Sequence, residues 1–503
     1  MSDAATRAAP HTDWVWTRAR THPRHPALEA AGETLSYAQL EARVAAAAAA
    51  LRAIAAAGEP VALLAGNGVP FAVFAHAVPR ARAILLPLNA RLTAGELASQ
   101  LRTAHARTAI VDAEHAPLGA EAAHAAGVAL LRAEDARWTA EAAAPGRASA
   151  DAPPAFEDST VHSAIFTSGT AGAPKAVLLT YGNFAASAAG STRNLGVDPT
   201  DRWLACLPLF HVGGLSILLR SAINGTTAVL LPRFDAASVN RALRAQRVTL
   251  LSVVPTMLQR MLDADRERFP PSVRAVLVGG GPVTPALLEA ALGRGLTVLQ
   301  SYGLTEAASQ VTTLSAADAR RKLGSAGLPL QGVTVRVEIE GRVAAPDESG
   351  EIVVAGPMVS PGYLGAPPRA PGEPLRTGDL GSLDAEGYLT VGDRRDDLIV
   401  SGGENVSPAE VEAALLALPG VDECAVVGLA DREWGQAVAA VVVPAPGAML
   451  APAVLLGALR GQLAGYKLPR RLEVSGEPLP RTASGKLLRR VVRERLEDGK
   501  AAT

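Results

Sequence analysis

The sequence feature that most constrains the fold is a repeated alternation of short apolar runs and longer stretches with helical spacing. The runs include Val61 to Leu64, Thr108 to Val111, Ala228 to Leu231 and Ala275 to Val278, and the stretches between them are rich in Ala, Leu and Arg. Strands that alternate with helices are typical of βαβ units. The sequence therefore predicts an α/β fold.

One early helix is predicted from composition. Ala45 to Ala57 consists mostly of alanine, which has the highest intrinsic helix propensity. Gly58-Glu59-Pro60 then provides a suitable stop before the next apolar run. We therefore expect a helix over residues 45–57.

The length of 503 residues predicts several packed subdomains. Asp393 to Asp397 are five charged residues that follow the strand-like Tyr388 to Val391 and precede a new α/β pattern from Leu398. We therefore expect a large N-terminal domain over residues 1–394 and a small α+β C-terminal domain over residues 395–503. A further stretch, Ala142 to Pro154, has the composition of an exposed connector leading into the strand-like Val161 to Phe166.

Charge and cysteine content bear on partners and compartment. The 48 basic and 49 acidic side chains give a net charge of -1, so nucleic acid is not expected as the main partner. Cys206 and Cys424 are too few for a disulfide framework, which favours a reducing, cytoplasmic location. No stretch reaches the roughly 20 apolar residues of a membrane span, and Met1 to Trp14 lacks the apolar core of a signal peptide. The sequence leaves the formation of a homo-oligomer open.

A loop rich in glycine and hydroxyl groups follows the apolar Ala164-Ile165-Phe166. It offers hydroxyls, glycines that leave backbone N–H groups unobstructed, and one cation, which together suit phosphate. Its candidate ligand-binding residues are Thr167, Ser168, Gly169, Thr170, Gly172 and Lys175. Pro174 precedes the lysine and no Ser or Thr follows it, so the pattern is not that of a P-loop. The alternative is a plain Gly/Ser turn.

This loop, read as Thr167-Ser168-Gly169-Thr170-Ala171-Gly172-Ala173-Pro174-Lys175, resembles the signature TSGTTGxPKG of the adenylate-forming superfamily of acyl-CoA synthetases, adenylation domains and luciferases. Further matches follow in the family's order, at Ser301 to Glu306, Arg376 to Asp379, Arg394 with Asp396, Gly402 to Asn405, and Pro480 to Lys486. Ala171 and Ala176 depart from the signature. The resemblance implies a multi-subdomain adenylation domain with a mobile C-terminal domain, and activation of a carboxylic acid by ATP as acyl-AMP before transfer to coenzyme A.

Residue chemistry and the resemblance together assign the nucleotide site. Glu306 is a hard oxygen ligand suited to Mg²⁺ on the ATP phosphates, Thr305 is a neutral phosphate donor, and Tyr302 offers a flat face for adenine. By the resemblance, Gly279, Gly280 and Gly281 let the backbone approach the base, while Asp379 accepts hydrogen bonds from the ribose and Arg394 assists there. The resemblance also includes Ser301 and Gly303 among the nucleotide-binding residues.

The resemblance also assigns residues of the C-terminal region. Lys486 becomes the main catalytic candidate, because a mobile cation can stabilise the charge that develops at the α-phosphate; the alternative is a solvated basic run with Arg489 and Arg490. Asp396 becomes the hinge on which the small domain moves between two half-reactions. The motif Gly402-Gly403-Glu404 is expected to face the channel for the thiol of coenzyme A.

The acid is predicted from softer cues. The run Trp203 to Leu215, with Lys322 to Gly327, resembles the o-succinylbenzoate–CoA ligases of menaquinone synthesis. By this resemblance His211 orients the carboxylate or shields the adenylate; the alternative is a satisfied core histidine. Arg220 lies in an apolar helix-like stretch, where a buried charge needs an anion, and a dicarboxylate would supply one; the alternative is an arginine that extends to the surface.

Ser309 and Gln310 are lesser candidates for contacts with the acid. The sequence thus predicts a ligase that converts 2-succinylbenzoate to its CoA thioester, with ATP, Mg²⁺ and coenzyme A. The alternatives are a ligase for another aryl or medium-chain acid, and a non-catalytic module that keeps the fold.

Overall fold

A computed structural model of the chain describes residues 11–138, 155–167, 174–281, 283–370, 372–394, 398–480 and 487–498. The chain divides into two compact units. The first comprises Met1–Ala90, Leu101–Phe166 and Ala176–Asp393, and the second comprises Arg91–Gln100, Thr167–Lys175 and Arg394–Thr503. The predicted connector over residues 142–154 lies outside the described residues.

The α-helices of the described residues are α1 (Trp14–Thr21), α2 (Tyr37–Leu51), α3 (Val69–Arg80), α4 (Ala94–Thr103), α5 (Ala116–Ala126), α6 (Tyr181–Leu195), α7 (Val212–Asn224), α8 (Ala236–Ala245), α9 (Pro255–Ala264), α10 (Pro285–Gly293), α11 (Pro408–Leu416), α12 (Pro452–Leu459) and α13 (Arg489–Asp498). Within the same ranges, no helix combines the length and the apolar character that crossing a membrane requires.

The first fifteen strands are β1 (His11–Thr12), β2 (Pro26–Ala30), β3 (Glu33–Ser36), β4 (Pro60–Leu64), β5 (Ile84–Pro87), β6 (Thr108–Val111), β7 (Ala129–Arg132), β8 (Ala155–Phe156), β9 (Val161–Thr167), β10 (Lys175–Thr180), β11 (Arg202–Ala205), β12 (Thr227–Leu230), β13 (Leu250–Val253), β14 (Ala275–Val278) and β15 (Val298–Tyr302). The remaining strands are β16 (Thr312–Thr313), β17 (Leu328–Pro329), β18 (Thr334–Ile339), β19 (Arg342–Val343), β20 (Gly350–Ala355), β21 (Gly362–Tyr363), β22 (Leu375–Leu383), β23 (Leu389–Arg394), β24 (Ile399–Ser401), β25 (Glu404–Val406), β26 (Val421–Asp431), β27 (Gly435–Pro444) and β28 (Arg471–Val474).

Two large sheets form most of the first unit. One has the strand order β21-β10-β9-β5-β4-β6-β7, and the other has the order β17-β16-β15-β14-β13-β11-β12-β2-β3. Adjacent strands from β15 to β2 pair in parallel, as do β5, β4, β6 and β7. Every residue of β4, β5, β6, β12 and β14 is buried, as is typical of parallel strands covered on both faces. The predicted α/β class is confirmed.

Two smaller sheets complete the described fold. A five-stranded sheet with the order β19-β18-β20-β22-β23 carries the motif at Arg376 to Asp379 on β22. In the second unit, β25, β24, β27 and β26 form a sheet to which β28 adds in parallel, and Ile399, Val426 and Val438 of this sheet pack in one core with Val411 and Leu455 of the helices. This α+β arrangement agrees with the small C-terminal domain expected from residue 398 onward.

The predicted helix over residues 45–57 is wrong in its bounds. Helix α2 begins at Tyr37, because Ser36 and Gln39 form a capping box in which each side chain accepts the other residue's backbone N–H. It ends at Leu51, and turns follow it up to Gly58, whose φ of 78° marks the left-handed region. Capping chemistry, rather than alanine content, determines where this helix begins.

Two buried histidines predict a loss of stability in acid. The imidazole of His162 packs against the rings of Trp14, Tyr181 and Phe184. Burial lowers the pKa of His162 to about 3 and that of His76 to about 4, whereas an unfolded chain has a histidine pKa of roughly 6.5. Between these values the unfolded state binds more protons than the folded state, so the free energy of unfolding falls as the pH falls below 6.5.

The variant His162→Phe tests this expectation by chemical denaturation at pH 7 and pH 5. The phenyl ring keeps the aromatic packing but does not titrate, so the variant should lose about 2 kcal/mol less stability over this interval than the wild type. His22→Phe, at an exposed position, is the matched control and should follow the wild type. Parallel losses in the wild type and His162→Phe would contradict the argument.

Candidate active site

The glycine-rich loop is described only at its two ends. Strand β9 ends at Thr167 and β10 begins at Lys175, an exposed residue, and Thr167 Oγ1 donates to the carbonyl oxygen of Lys175 at 3.5 Å. The predicted residues between them, Ser168, Gly169, Thr170 and Gly172, lie outside the described residues. Ala176 does not belong to the loop: it lies in β10 with its side chain 4% exposed. Its departure from the signature therefore adds a methyl group to the core.

The carboxyl ends of two parallel strands bring the predicted adenine-binding residues together. Gly279 to Gly281 follow β14, and Ser301 to Gly303 end or follow β15, its neighbour in the sheet. A Cβ at Gly279 would lie 2.7 Å from the carbonyl oxygen of Ser301, so no larger residue fits there without a shift. Gly280 has a φ of 76°, which also favours glycine. Ligands of open α/β sheets bind at such carboxyl ends.

Tyr302 and Asp379 form a buried pair. The Tyr302 hydroxyl donates to Asp379 Oδ2 at 2.8 Å, and the two residues are 8% and 5% exposed. The backbone N–H of Asp379 donates to Thr377 Oγ1 at 3.1 Å. The contact orients the carboxylate predicted to bind ribose, and the sequence did not indicate it. The predicted stacking of Tyr302 on adenine stays a prediction.

Glu306 lies in a single 3-10 turn, Thr305–Ala307, directly after these residues. Tyr363 donates its hydroxyl to Glu306 Oε1 at 3.2 Å, and burial together with the nearby Glu306 charge raises the pKa of Tyr363 to about 12. The turn is also held by the N–H of Ser360, which donates to the carbonyl oxygen of Glu306 at 2.8 Å. A fixed, half-buried carboxylate therefore stands where the sequence predicts the Mg²⁺ ligand.

The described residues contain no group of three or more His, Cys, Asp or Glu side chains that could hold a metal ion. Mg²⁺ in nucleotide-dependent enzymes is usually held through one or two carboxylates together with the substrate's phosphates. A single carboxylate at Glu306 fits that donor set.

The predicted acid-binding loop is supported by a residue that the sequence did not indicate. Asn67 Nδ2 donates to the carbonyl oxygens of Leu207 at 2.8 Å and Leu231 at 3.2 Å, and its Oδ1 accepts the N–H of Leu209 at 2.9 Å. These bonds tie the loop after β4 to the loop after β11. A polar residue in the Gly66-Asn67-Gly68 turn after a buried strand was the only signal available.

His211 caps the first turn of α7 with its backbone, and its ring lies 4.6 Å from that of Phe210. A Cβ at Gly214 would lie 2.2 Å from the carbonyl oxygen of Pro208, so this glycine lets the loop fold tightly onto the helix. His211 is only partly buried. Its predicted role in orienting the acid is compatible with this position.

Arg220 is buried, 4% exposed, in the middle of α7, which contradicts the alternative of an arginine that extends to the surface. Its Nη2 donates to Ser187 Oγ at 2.9 Å, and its guanidinium carbon lies 5.9 Å from the centre of the Trp203 ring. Among the described residues its Nε has no hydrogen-bond partner. Burial lowers the pKa of Arg220 to about 9. The cation is thus held without a carboxylate from the described chain.

Ser309 and Gln310 follow the Glu306 turn. Ser309 has a φ of 93°, in the region that favours glycine, while Gln310 is 5% exposed and donates from Nε2 to Thr313 Oγ1 at 3.2 Å. Gln310 Oε1 has no partner among the described residues. His211, Arg220, Ser309 and Gln310 all lie in the first unit, and their roles in binding the acid stay predictions.

In the second unit, Gly402 and Gly403 form the two-residue turn between β24 and β25. Both have positive φ, 60° and 84°, and Ser401 pairs with Glu404 across the turn. A Cβ at Gly402 would lie 2.8 Å from the Trp434 ring. The positive φ values favour glycine at both positions of the turn, and Glu404 is buried, 3% exposed. The side chain of Arg394, together with Asp396 and Lys486, lies outside the described residues.

Comparisons with known proteins identify the family of this chain. The family model of the AMP-binding enzyme matches residues 15–364, and that of the AMP-binding enzyme C-terminal domain matches residues 410–486. A 2-succinylbenzoate–CoA ligase of Bacillus cereus (strain ZK / E33L) is 40% identical over 493 residues, which are 97% of this chain and 98% of the relative. A similar ligase of Bacillus mycoides (strain KBAB4) is also 40% identical, over 97% of this chain and 99% of its own.

Solved structures are similar as well. A double mutant of o-succinylbenzoate CoA synthetase from Bacillus subtilis, bound to a product analogue, is 36% identical with a TM-score of 0.88, over 96% of this chain and 98% of that chain. The same enzyme in complex with ATP and magnesium ion is 37% identical with a TM-score of 0.71, over 95% and 99%. This chain therefore belongs to the AMP-binding enzyme family, within the adenylate-forming superfamily.

Proposed function

We propose that this protein is an ATP-dependent acid–CoA ligase that converts 2-succinylbenzoate, through an acyl-adenylate, into 2-succinylbenzoyl-CoA for menaquinone biosynthesis. Relatives that are 40% identical over nearly the whole chain are 2-succinylbenzoate–CoA ligases. The observation that carries the substrate is Arg220, a buried cation whose Nε has no partner among the described residues. A dicarboxylate supplies an anion for this cation and a second carboxylate for the reaction.

The reaction has two steps. In the first, a carboxylate oxygen of the acid attacks the α-phosphorus of ATP, an O–P bond forms, and pyrophosphate leaves. In the second, the sulfur of coenzyme A attacks the acyl carbon, a C–S bond forms, AMP leaves, and the thiol proton passes to solvent. Arg220 holds the carboxylate that does not react, while His211 orients the one that does.

The nucleotide is held by the residues at the carboxyl ends of β14 and β15. Gly279 to Gly281 admit the base, and Asp379, fixed by Tyr302, accepts hydrogen bonds from the ribose. Thr305 donates to a phosphate oxygen. When bound with ATP, Mg²⁺ neutralises phosphate charge, and Glu306 is the carboxylate that would hold it, with Tyr363 keeping that carboxylate in place.

The remaining assignments extend beyond the described residues. We assign phosphate binding to Thr167–Lys175, assistance to Asp379 at the ribose to Arg394, charge stabilisation to Lys486, and the hinge to Asp396. We also place the boundary between the adenylation domain and the C-terminal domain after residue 394, and coenzyme A beside Gly402 to Glu404. The two cysteines are free and buried, which supports a reducing, cytoplasmic location.

A panel of acids tests the substrate by pyrophosphate release. The kcat/KM for 2-succinylbenzoate should exceed that for benzoate or octanoate by at least about a hundredfold, because either competitor leaves the buried guanidinium without its anion. Equal release with all three acids would overturn the substrate and favour a ligase of broader specificity. Absence of ATP–pyrophosphate exchange with every acid would instead indicate a non-catalytic module that keeps the fold.

A further inference from the structure

Ser187 joins two parts of the proposed site through one hydroxyl group. It lies in α6, is 2% exposed, and faces α7. Its Oγ accepts from Arg220 Nη2 at 2.9 Å and donates to the carbonyl oxygen of Ala308 at 2.7 Å. A serine hydroxyl has a single proton, so donation to Ala308 leaves its oxygen to accept from the guanidinium. Both bonds are therefore made together.

The carbonyl that Ser187 binds belongs to a strained turn. Ala308 and Ser309 have φ values of 49° and 93°, although neither is glycine. Such conformations persist only where the surroundings hold them, and they concentrate at functional sites. The turn is closed by the N–H groups of Ala308 and Ser309, which donate to the carbonyl oxygens of Thr305 at 3.1 Å and Leu304 at 3.2 Å. Glu306, the proposed Mg²⁺ ligand, lies within this turn.

One hydrogen bond from Arg220 Nη2 to Ser187 constrains the guanidinium. Arg220 has no carboxylate partner among the described residues, and Ser187 is the one described side chain to which it donates a hydrogen bond. A carboxylate that binds Arg220 orders the guanidinium further, and through Ser187 the same ordering reaches the carbonyl of Ala308. When the acid has ordered its contacts at Arg220, the entropic cost of ordering the turn that contacts Mg–ATP is lower.

We propose that Ser187 is a positioning residue that couples recognition of the acid's non-reacting carboxylate at Arg220 to the turn that carries Glu306, so that acid and Mg–ATP bind cooperatively. This inference rests on the proposed function. It assigns no chemical step to Ser187.

The test is a binding measurement on the full-length protein. Isothermal titration calorimetry with Mg²⁺ and α,β-methylene-ATP, which cannot form the adenylate, is carried out with and without saturating 2-succinylbenzoate. In the wild type the acid should tighten nucleotide binding about tenfold. In Ser187→Ala the acid should change the affinity for the nucleotide less than about twofold. Two mono-acid analogues, 3-benzoylpropanoate and 2-propanoylbenzoate, each lack one carboxylate of the substrate, and the kcat/KM preference for 2-succinylbenzoate over the analogue that still reacts should fall about tenfold.

Three further variants separate positioning from packing. Ser187→Thr retains the hydroxyl and should restore the cooperativity, whereas Ser187→Cys retains the volume with only a weak donor and should behave like Ser187→Ala. Ser191→Ala is the matched control, because Ser191 lies one turn further along α6, is 2% exposed, and has no partner for its Oγ among the described residues. It should behave like the wild type.

The outcomes distinguish this inference from the proposed function. A wild type that does not prefer 2-succinylbenzoate over either of its mono-acid analogues overturns the substrate, and this inference with it. If the wild type prefers 2-succinylbenzoate but binds acid and nucleotide without cooperativity, the inference alone is overturned. It is also overturned if Ser187→Ala and Ser187→Cys keep the cooperativity. Equal losses in Ser187→Ala and Ser191→Ala would reduce the role of Ser187 to packing and also overturn it.

Discussion

Replacing Lys486 with alanine is expected to slow adenylation by a factor of roughly a hundred to a thousand, while thioester formation from supplied acyl-AMP stays nearly unchanged. The resemblance assigns this lysine to the charge that develops at the α-phosphate, and loss of one such stabilising donor typically costs that factor. In the second step the attack takes place at the acyl carbon, so no five-coordinate phosphorus forms. The two half-reactions are measured separately, by ATP–pyrophosphate exchange and by CoA thioester formation from the isolated adenylate.

Arg490→Ala is the matched control for Lys486→Ala. Arg490 belongs to the same basic run, its side chain is 78% exposed, and it forms a surface ion pair with Glu494, a type of contact that contributes little to stability. If the run were merely a solvated surface, both variants would behave alike. Equal loss in the two half-reactions of Lys486→Ala, or an equal effect of Arg490→Ala, would contradict the assignment of Lys486.

The fold could be predicted from the sequence wherever a local pattern determines the structure. The runs at Val61 to Leu64, Thr108 to Val111 and Ala275 to Val278 are strands with the expected bounds to within one residue. They are fully buried, so each remains apolar along its whole length. The helix predicted over residues 45–57 shows the opposite case, because a composition of repeated alanine contains no information on where the capping residues lie.

The sequence indicates candidate site residues one by one, but it does not indicate the contacts between them. Glu306 meets Tyr363 across a separation of 57 residues, because β21 pairs antiparallel with β10 and thereby reaches the turn after β15. Tyr302 meets Asp379 across 77 residues. Asn67 reaches the loop of Leu209 across 142 residues. Such contacts depend on how sheets and loops are arranged in space, and no motif spacing along the chain encodes them.

Arg220 shows how the structure sharpens a prediction from sequence. A charged residue in an apolar helix left two alternatives, a surface-directed side chain or a buried cation that awaits an anion. The structure buries the guanidinium against Trp203 and Ser187, and burial lowers the pKa of Arg220 to about 9. A desolvated cation without a counter-ion is costly, so an arriving carboxylate gains more here than at the surface.

The variant Arg220→Met should therefore lower kcat/KM for 2-succinylbenzoate about a hundredfold, equivalent to about 3 kcal/mol, because it removes the cation and keeps an unbranched side chain. Two mono-acids each lack one carboxylate of the substrate, 3-benzoylpropanoate and 2-propanoylbenzoate. The mono-acid that still reacts should be used equally well by the variant and the wild type. Arg193→Met, at an exposed position of α6, is the matched control and should change neither value.

The pH dependence of the substrate preference, compared between the wild type and Arg220→Met, separates the effect of the charge at Arg220 from that of side-chain shape. In the free enzyme the guanidinium is positive below its pKa, so the affinity for the non-reacting carboxylate should be lost as the pH rises through about 9. The wild type should then lose its preference for 2-succinylbenzoate over the mono-acid in this range, while Arg220→Met should show a flat, low preference throughout. A preference that persists in the variant would assign recognition of the second carboxylate to groups other than Arg220.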